Sequence, residues 1–368
     1  MTATDWHAVH VYYYESDKSA LLVDAIGPLL AALHDHVRAA YLLRHWRRGP
    51  HIRLNVEATA DSWTRVIRPA VDDRIGTYLR GNPSTARLDP DALLPQHRFL
   101  ARQEQEPGPL LPWIADNSIR YPPWQPRSGV VGGERVADLV TRFYVDSNPL
   151  LLDIVESSRH GRDSIPVVAF GLMIGTAHAV GGIRRNVGSF RAHSEGFLAQ
   201  CSDPDAVRAE FETYYDRHRA HILARVNAVV ATLEGTADQP AGFVGDWSDL
   251  IVRHADAADP ILASGVLRVP HEEREQLLRN ARLSEYQRLA FTNDAYMRRA
   301  LENPHFLRYR VVLNYTYLQL TRLGVSPRQR FLLCHMAANA IEEIHSVSAL
   351  DFVRRFTQSH PNSDGGSA

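Results

Sequence analysis

Lysine is almost absent from this chain. Lys18 is the single lysine among 41 lysine and arginine residues, so the other 40 basic residues are arginines. Guanidinium groups bind carboxylates through pairs of parallel hydrogen bonds, which suits recognition of that group. The formal net charge is −1, so no overall field favours nucleic acid or an anionic membrane, and we expect neither as a partner.

Cysteine and long apolar runs are scarce as well. Cys201 and Cys334 stand far apart without metal-ligand spacing, which predicts free thiols in a reducing compartment. No signal peptide is recognisable, and no apolar run approaches the roughly 18 residues that span a bilayer. The signatures of phosphate-binding loops, zinc sites and Ser-His-Asp triads are missing too. We therefore expect a cytoplasmic protein without a metal or another cofactor.

The most informative segment runs from His45 to Asn55 and reads HWRRGPHIRLN. It predicts two short strands joined at Gly49-Pro50, because proline suits the first residue of a strand. Side chains alternate along a strand, so His51, Arg53 and Asn55 share one face of the second strand. Imidazole, guanidinium and amide groups together favour binding of an anion or a peptide backbone. The alternative is a solvated strand face.

The surrounding pattern predicts an α+β fold, with an antiparallel sheet in the N-terminal half and a mostly helical C-terminal half. A strand at 6–15, a helix at 18–37 kinked near Gly27-Pro28, the hairpin at 40–57 and a helix at 61–80 come first. Residues 81–135 look irregular. Helices are then predicted at about 135–145, 149–159, 164–182, 204–234, 246–253, 270–300, 303–324 and 326–346. We expect a sheet-containing domain at 1–134, a helical domain at 135–357 and a disordered tail at 358–368.

A proline-framed loop at 121–134, YPPWQPRSGVVGGE, precedes the first helix of the second half. Its prolines restrict the backbone, so Arg127 loses little entropy on binding a ligand. Trp124 supplies an aromatic wall in the same loop.

The order of these motifs resembles the C-terminal glutamate-elimination domain of lantibiotic dehydratases. The matching segments are the G-P-H-I-R-L hairpin, the Tyr121–Glu134 loop, the Asp146-Ser147 helix start, residues 190–197 (FRAHSEGF) and residues 311–325 (VVLNYTYLQLTRLGV). The resemblance implies a peptide-binding fold of the same type. In that family two strand arginines are thought to hold the leaving glutamate. Here Arg53 is kept but Asn55 replaces the second, and Tyr317 stands where the family has a late histidine.

These departures resemble the pyridine synthases of thiopeptide biosynthesis, which reuse that fold. The resemblance implies a formal aza-four-plus-two cycloaddition between two dehydroalanines, followed by loss of water and of the leader peptide. Tyr317, with Tyr315 as a second candidate, is the predicted proton donor, and His193 and Ser194 are predicted to relay protons. The predicted substrate-binding residues are His51, Arg53, Asn55, Trp124, Arg127 and Arg322. The expected partners are a modified precursor peptide with its leader and other enzymes of the pathway.

Alternatives remain open for the tyrosines and for the activity. Tyr315 and Tyr317 are two residues apart and cannot share a helix face, so at most one of them faces the substrate and core packing is the alternative for each. Two alternatives to the pyridine synthase activity stay open. One is a glutamate-elimination lyase that acts on glutamylated serine or threonine, and the other is a non-catalytic subunit that binds the leader peptide. Asn55 and Tyr317 argue against the lyase, because a phenol is a poor general base near neutral pH.

Overall fold

A computed structural model of the protein describes residues 3–126, 133–264 and 283–362. The chain forms two compact units. The first comprises Met1–Ile165 with Thr321–Gly324, and the second comprises Pro166–Leu320 with Val325–Ala368. The first unit ends later than the predicted boundary at residue 134. Arg127, one of the predicted binding residues, lies outside the described residues.

The first unit contains an antiparallel sheet of four strands in the order β2-β3-β1-β4. The strands are β1 (Asp5–Tyr12), β2 (Ala39–His45), β3 (His51–Ala58) and β4 (Ser118–Arg120). The hairpin predicted from the sequence is present, with His45 opposite His51. The short edge strand β4 was not predicted.

The two faces of this sheet differ in chemistry because directly opposed residues on neighbouring strands point the same way. One face carries buried aliphatic side chains, including Val9, Val11, Leu42, Ile52 and Leu54. The other face carries aromatic, imidazole and guanidinium groups. Their rows follow from the register: Tyr41–Asn55–Ala8, Leu43–Arg53–His10–Arg120 and His45–His51–Tyr12–Ser118.

Helices accompany the sheet in the first unit. A π-helical turn at Leu21–Ile26 changes to α1 (Gly27–Ala32) at the position where a kink was predicted, and Pro28 there lacks the N–H that the ladder of hydrogen bonds uses. α2 (Ala60–Ser62), a π-helical turn (Trp63–Ile67) and α3 (Arg68–Gly81) form the next helical segment. α5 (Glu134–Asp146) and α6 (Asn148–Arg159) contact β2.

The predicted irregular region contains a helix that the sequence pattern did not reveal. α4 (Pro90–Gln103) begins at Asp89, whose side chain accepts a hydrogen bond from the backbone N–H of Asp91. Proline inside a helix removes a backbone hydrogen bond, and Pro95 lies inside this one, so the composition resembles that of a loop. The prediction of a structureless stretch was wrong here.

The buried Arg322 side chain links several elements of the first unit through hydrogen bonds. Its guanidinium donates to Leu42 O (2.8 Å), Ser147 Oγ (2.6 Å) and Asn148 Oδ1 (2.8 Å), which joins β2 to the junction of α5 and α6. The side chain is 2 % exposed, and burial lowers its pKa to about 10. The acceptors are neutral groups in fixed positions, so the planar fork of arginine is what fits there.

The described residues of the second unit form helices joined by turns and loops, with no strand among them. Its helices are α7 (Ile165–Ala179), α8 (Ile183–Leu198), α9 (Pro204–Leu233), α10 (Val244–Ala263), α11 (Glu285–Thr292), α12 (Asp294–Glu302), α13 (Pro304–Arg322), α14 (Pro327–His345) and α15 (Ala349–Ser359). α14 packs against α8 and α9. Neither α8 nor α15 was predicted as a helix. The predicted tail begins within α15, and Asn362 donates to Thr292 O (2.8 Å).

The α+β class is thus confirmed, with an antiparallel sheet followed by helices. The predicted helix at 270–300 is interrupted, because Asn293 caps α12 by accepting from the N–H of Tyr296 (2.8 Å), and residues 265–282 lie outside the described residues. Within the described part of the chain, no helix is both long and apolar enough to cross a membrane.

Candidate functional site

The turn between β2 and β3 brings cationic side chains together. Arg48 and Gly49 both have positive φ values, 59° and 109°. A Cβ atom at Gly49 would clash with the Tyr14 hydroxyl, so both the backbone conformation and the close contact require glycine there. The turn therefore presents Arg47 and Arg48 at the end of the polar face of the sheet.

A pocket opens at this end of the polar face, and we call it the hairpin pocket. It is a cavity of about 330 Å³. Its principal lining residues are His10, Tyr12, Arg47, Arg48, Arg53 and Arg120. Its volume lies at the lower end of the range for small-ligand sites. The predicted binding residues His51 and Arg53 both line this pocket. The alternation of side chains along β3 had predicted that these two residues share a face.

His51 orients Arg53 rather than reaching outward. Its Nδ1 lies 2.8 Å from Gly49 O and therefore carries the proton, and its Nε2 accepts from Arg53 Nε at 3.2 Å. The ring is 1 % exposed. Burial, followed by electrostatic interactions with His45, His10 and Arg53, lowers the pKa of His51 well below its usual value, so the imidazole stays neutral and can keep this tautomer.

Glu106 places a carboxylate against the cations of the hairpin. Its Oε1 is 3.2 Å from Arg53 Nη2 and 3.6 Å from Arg47 Nε, and its Oε2 is 3.5 Å from His45 Nε2. Burial opposes ionisation of this carboxyl, but the hydrogen bond and charge of His45 and the charge of Arg53 prevail and lower its pKa to about 2. Glu106 is therefore an ionised internal partner of Arg53 at neutral pH.

His10 lies between two arginines in one row across the sheet. It is opposite Arg53 on β3 and opposite Arg120 on β4. Burial lowers the pKa of His10 to about 3, and the charges of Arg53, His45 and Arg47 act in the same direction. The row thus presents two positive charges separated by a neutral ring.

Aromatic rings pack against one another at the Tyr41–Asn55–Ala8 row of the polar face. Trp124 lies 5.7 Å from Trp6, centroid to centroid, and donates from Nε1 to the Tyr41 hydroxyl at 3.1 Å. Tyr41 in turn stacks on Tyr144 at 5.4 Å. Asn55 is opposite Tyr41 and is 4 % exposed. Trp124 and Asn55 thus lie beside the hairpin pocket, without lining it.

Arg322 differs from the other predicted binding residues. It is buried among main-chain and neutral side-chain acceptors, and its guanidinium lies 5.4 Å from the Tyr144 ring centroid. In this structure it supports β2 and the stacked rings instead of facing a ligand. These contacts are those of a positioning residue, and its role in substrate binding stays a prediction.

Tyr317 lies in the interior of the second unit and is 8 % exposed. Its hydroxyl is 3.3 Å from Cys334 Sγ, the edge of its ring meets His193 at 5.1 Å, and the Arg330 guanidinium lies 4.8 Å from its ring centroid. Burial, then the proximity of Cys334, raises the pKa of Tyr317 well above its usual value. The phenol therefore stays protonated, which suits a hydrogen-bond donor and not a base.

Tyr315 faces another part of the same unit, as the spacing along the helix predicted. Its ring meets His254 of α10 edge-on, with centroids 5.9 Å apart, and it is as buried as Tyr317. The predicted second candidate is therefore packed between helices, away from the His193 and Cys334 group.

The two predicted relay residues point to different neighbours although they are adjacent in sequence. His193 faces Tyr317, and burial lowers its pKa to about 4, with the charges of Arg330 and Arg310 adding to the effect. Ser194 is fully buried, and its hydroxyl lies 3.4 Å from His335 Nδ1. The other nitrogen of His335 is 3.2 Å from Glu212 Oε1. Ser194 thus belongs to a separate polar chain.

Several residues around the hairpin pocket and around Tyr317 and Ser194 were not predicted from the sequence. Glu106 lies in the stretch that looked irregular, and its partners Arg53, Arg47 and His45 are 53, 59 and 61 residues away in sequence. Arg330, His335 and Glu212 come from helices whose packing the sequence does not reveal. The Asp89-Pro90 pair is a start signal for α4 only, and no sequence pattern singled out Glu106.

Comparison with known proteins identifies relatives. Residues 6–341 match the family described as the lantibiotic biosynthesis dehydratase C-terminal region. The structure is similar to that of a pyridine synthase, TbtD, from thiomuracin biosynthesis, with 34 % identity, a TM-score of 0.76, and coverage of 93 % of this chain and 99 % of the other. It is also similar in fold to TsrL, with 21 % identity, a TM-score of 0.70, and coverage of 96 % and 98 %. Comparison with curated proteins gives no match.

The ionised state of Glu106 predicts how acid affects stability. Its pKa falls from 4.5 to about 2 on folding, so its contribution is fully present above about pH 4.5 and is lost as the pH falls towards 2. The free energy of unfolding of Glu106→Gln should be lower than that of the parent by about 1–3 kcal/mol at pH 7, and the gap should narrow below pH 4.5. Urea denaturation at several pH values measures it. The exposed carboxylate variant Glu302→Gln should show no such gap, and a gap independent of pH for Glu106→Gln would refute the assignment.

Proposed function

The chain belongs to the lantibiotic dehydratase C-terminal family, and on that premise we propose that it is a thiopeptide pyridine synthase. It forms the central pyridine and the macrocycle from two dehydroalanines of one modified, leader-bearing peptide. The observation that carries this proposal is the 34 % identity with a pyridine synthase over nearly the full length of both chains. An elimination enzyme would share the family but would not account for this likeness.

The reaction needs little acid–base catalysis, but it needs the two reacting alkenes to be held in the correct relative position. One dehydroalanine, with the preceding amide in its iminol form, supplies four atoms of the ring, and the other supplies two. Water then leaves, and the leader peptide departs as its carboxamide to leave an aromatic ring. Holding both alkenes in reacting geometry is worth up to about 7–11 kcal/mol. Hydrogen-bond donors at the iminol and at the departing oxygen add to this.

We assign the donor role to Tyr317. A phenol that stays protonated can stabilise the iminol oxygen and the departing hydroxyl by donating a hydrogen bond, without transferring its proton completely. His193 is neutral at working pH and contacts the Tyr317 ring, so it is the relay candidate that the geometry favours. Ser194 and Tyr315 stay secondary candidates, because their contacts lead to His335 and His254.

The internal hydrogen bonds of Arg53 favour ring closure over glutamate elimination as the activity. Its guanidinium already binds the Glu106 carboxylate and His51 Nε2. A glutamyl substrate would have to compete with an internal carboxylate for this arginine, and Asn55 supplies no second guanidinium. Arg53, supported by His51, is accordingly proposed to bind peptide carbonyl groups, with Asn55, Trp124 and Arg127 completing the substrate-binding set.

The proposed partners and location follow from the same reaction. The substrate is a precursor peptide that other enzymes have already dehydrated and equipped with azole rings, so those enzymes are its proposed partners. Aromatic side chains such as Trp124 suit azoles. Cys201 and Cys334 are not paired with each other, which is in keeping with a cytoplasmic protein.

Mass spectrometry tests the activity. The protein is incubated with a leader-bearing peptide that contains two dehydroalanines. We expect a macrocycle together with an intact leader carboxamide. Binding of the leader without a change in mass would support a non-catalytic subunit and contradict the proposal. Formation of dehydroalanine from a glutamylated peptide, with no macrocycle, would instead support the lyase.

The role of Tyr317 is tested by removing one oxygen atom. Tyr317→Phe keeps the ring that packs against His193 and Arg330, so the fold should be preserved. Loss of a hydrogen-bond donor at developing charge should lower kcat by about 10²-fold. Tyr214→Phe, at an exposed ring of α9, is the matched control and should leave kcat unchanged. Full activity of Tyr317→Phe would rule out the donor role.

A further inference from the structure

The hairpin pocket holds more positive charge than its internal carboxylate balances. Four arginines line it, and Glu106 binds two of them, Arg53 and Arg47. Arg48 and Arg120 have no carboxylate partner among residues 3–126, 133–264 and 283–362. A concave surface with two uncompensated guanidinium groups attracts an anion.

Main-chain contacts hold both of these arginines in place. Arg48 donates from Nε to Pro112 O at 2.9 Å, and Arg120 donates from Nη1 to Ile119 O at 2.8 Å. Each contact uses one of the five N–H donors of a guanidinium, so donors remain for a ligand. Each guanidinium is thus tied to the main chain at one point, which reduces the conformational entropy lost when an anion binds.

Tyr12 adds a third donor at the same place. Its hydroxyl lies within the influence of Arg48, Arg53, Arg47 and Arg120, but burial outweighs their effect and its pKa is raised. The phenol therefore remains protonated and can donate to a carboxylate oxygen. The neutral ring of His10, between Arg53 and Arg120, leaves room for a ligand without adding a further charge.

We propose that the hairpin pocket binds a side-chain carboxylate of the precursor peptide through Arg48, Arg120 and the Tyr12 hydroxyl. This inference rests on the proposed function, because it takes the substrate to be a peptide. Glu106 sets the position of the ligand. Its negative charge repels a second carboxylate from Arg53 and directs it towards Arg48 and Arg120.

The dimensions and the walls favour a peptide side chain over a nucleic acid. A cavity of about 330 Å³ holds a glutamate side chain with a little of its backbone, but it does not track a phosphate chain. Ile114, Tyr121 and Pro122 supply apolar wall beside the arginines. With a net charge of −1, the chain as a whole lacks the positive field of a nucleic-acid-binding protein.

Binding of a short peptide tests the proposal directly. The probes are the capped peptide Ac-Gly-Glu-Gly-NH2 and its glutamine counterpart, titrated into the full chain by calorimetry at low salt. We expect the glutamate peptide to bind at least tenfold more tightly than the glutamine peptide. The double variant Arg48→Gln/Arg120→Gln should bind the glutamate peptide at least fivefold more weakly. Arg65→Gln, which removes an exposed arginine paired with Asp61, should not change the affinity.

A reciprocal variant sharpens the test. Glu106→Gln removes the negative charge that repels a ligand carboxylate, so this variant should bind the glutamate peptide at least threefold more tightly than the parent. Equal affinity for the two peptides, or unchanged affinity in the double arginine variant, would overturn the proposal. Because this assay involves no ring closure, an inactive protein that still discriminates between the peptides would refute the proposed function and support the carboxylate site.

Discussion

The ionised carboxylate of Glu106 is the interaction on which the polar face of the sheet depends. The turn at Gly49 and the alternation along β3 bring Arg47, Arg53 and two imidazoles into one partly buried group. Such a concentration of cations is unfavourable unless a buried partner balances it. Glu106 supplies that partner from a segment distant in sequence, so the segment after α4 is as much part of the site as the hairpin itself.

The same interaction links the fold to the choice of chemistry. An elimination enzyme of this family must offer its strand arginine to a glutamyl group, whereas here the arginine already has an internal partner. Occupation of Arg53 by Glu106 does not impair a cyclisation, which depends mainly on the position of the reacting groups. In the second unit, the phenol of Tyr317 stays protonated and His193 stays neutral, and we propose that these two groups supply the hydrogen bonding for such a reaction.

The sequence predicted what depends on local pattern. The β2–β3 hairpin, the face shared by His51 and Arg53, and the long helices follow from alternation, turn residues and helical spacing. What depends on tertiary packing was not predictable. Proline made α4 look like a loop, the contacts of Glu106 span more than 50 residues, and the burial of Arg322 among internal acceptors has no local sequence signal. The relay residues His193 and Ser194 were predicted as a pair, yet adjacent residues of a helix point in different directions.

A competition experiment tests the central claim, that an enzyme of this family closes a ring because its strand arginine is already occupied. Equal amounts of a glutamylated precursor and of its counterpart with two dehydroalanines are incubated together with the protein, and both products are quantified by mass spectrometry over time. The account predicts that the second peptide is converted to macrocycle and leader carboxamide while the glutamylated peptide remains intact. Consumption of the glutamylated peptide at a comparable or higher rate would contradict it.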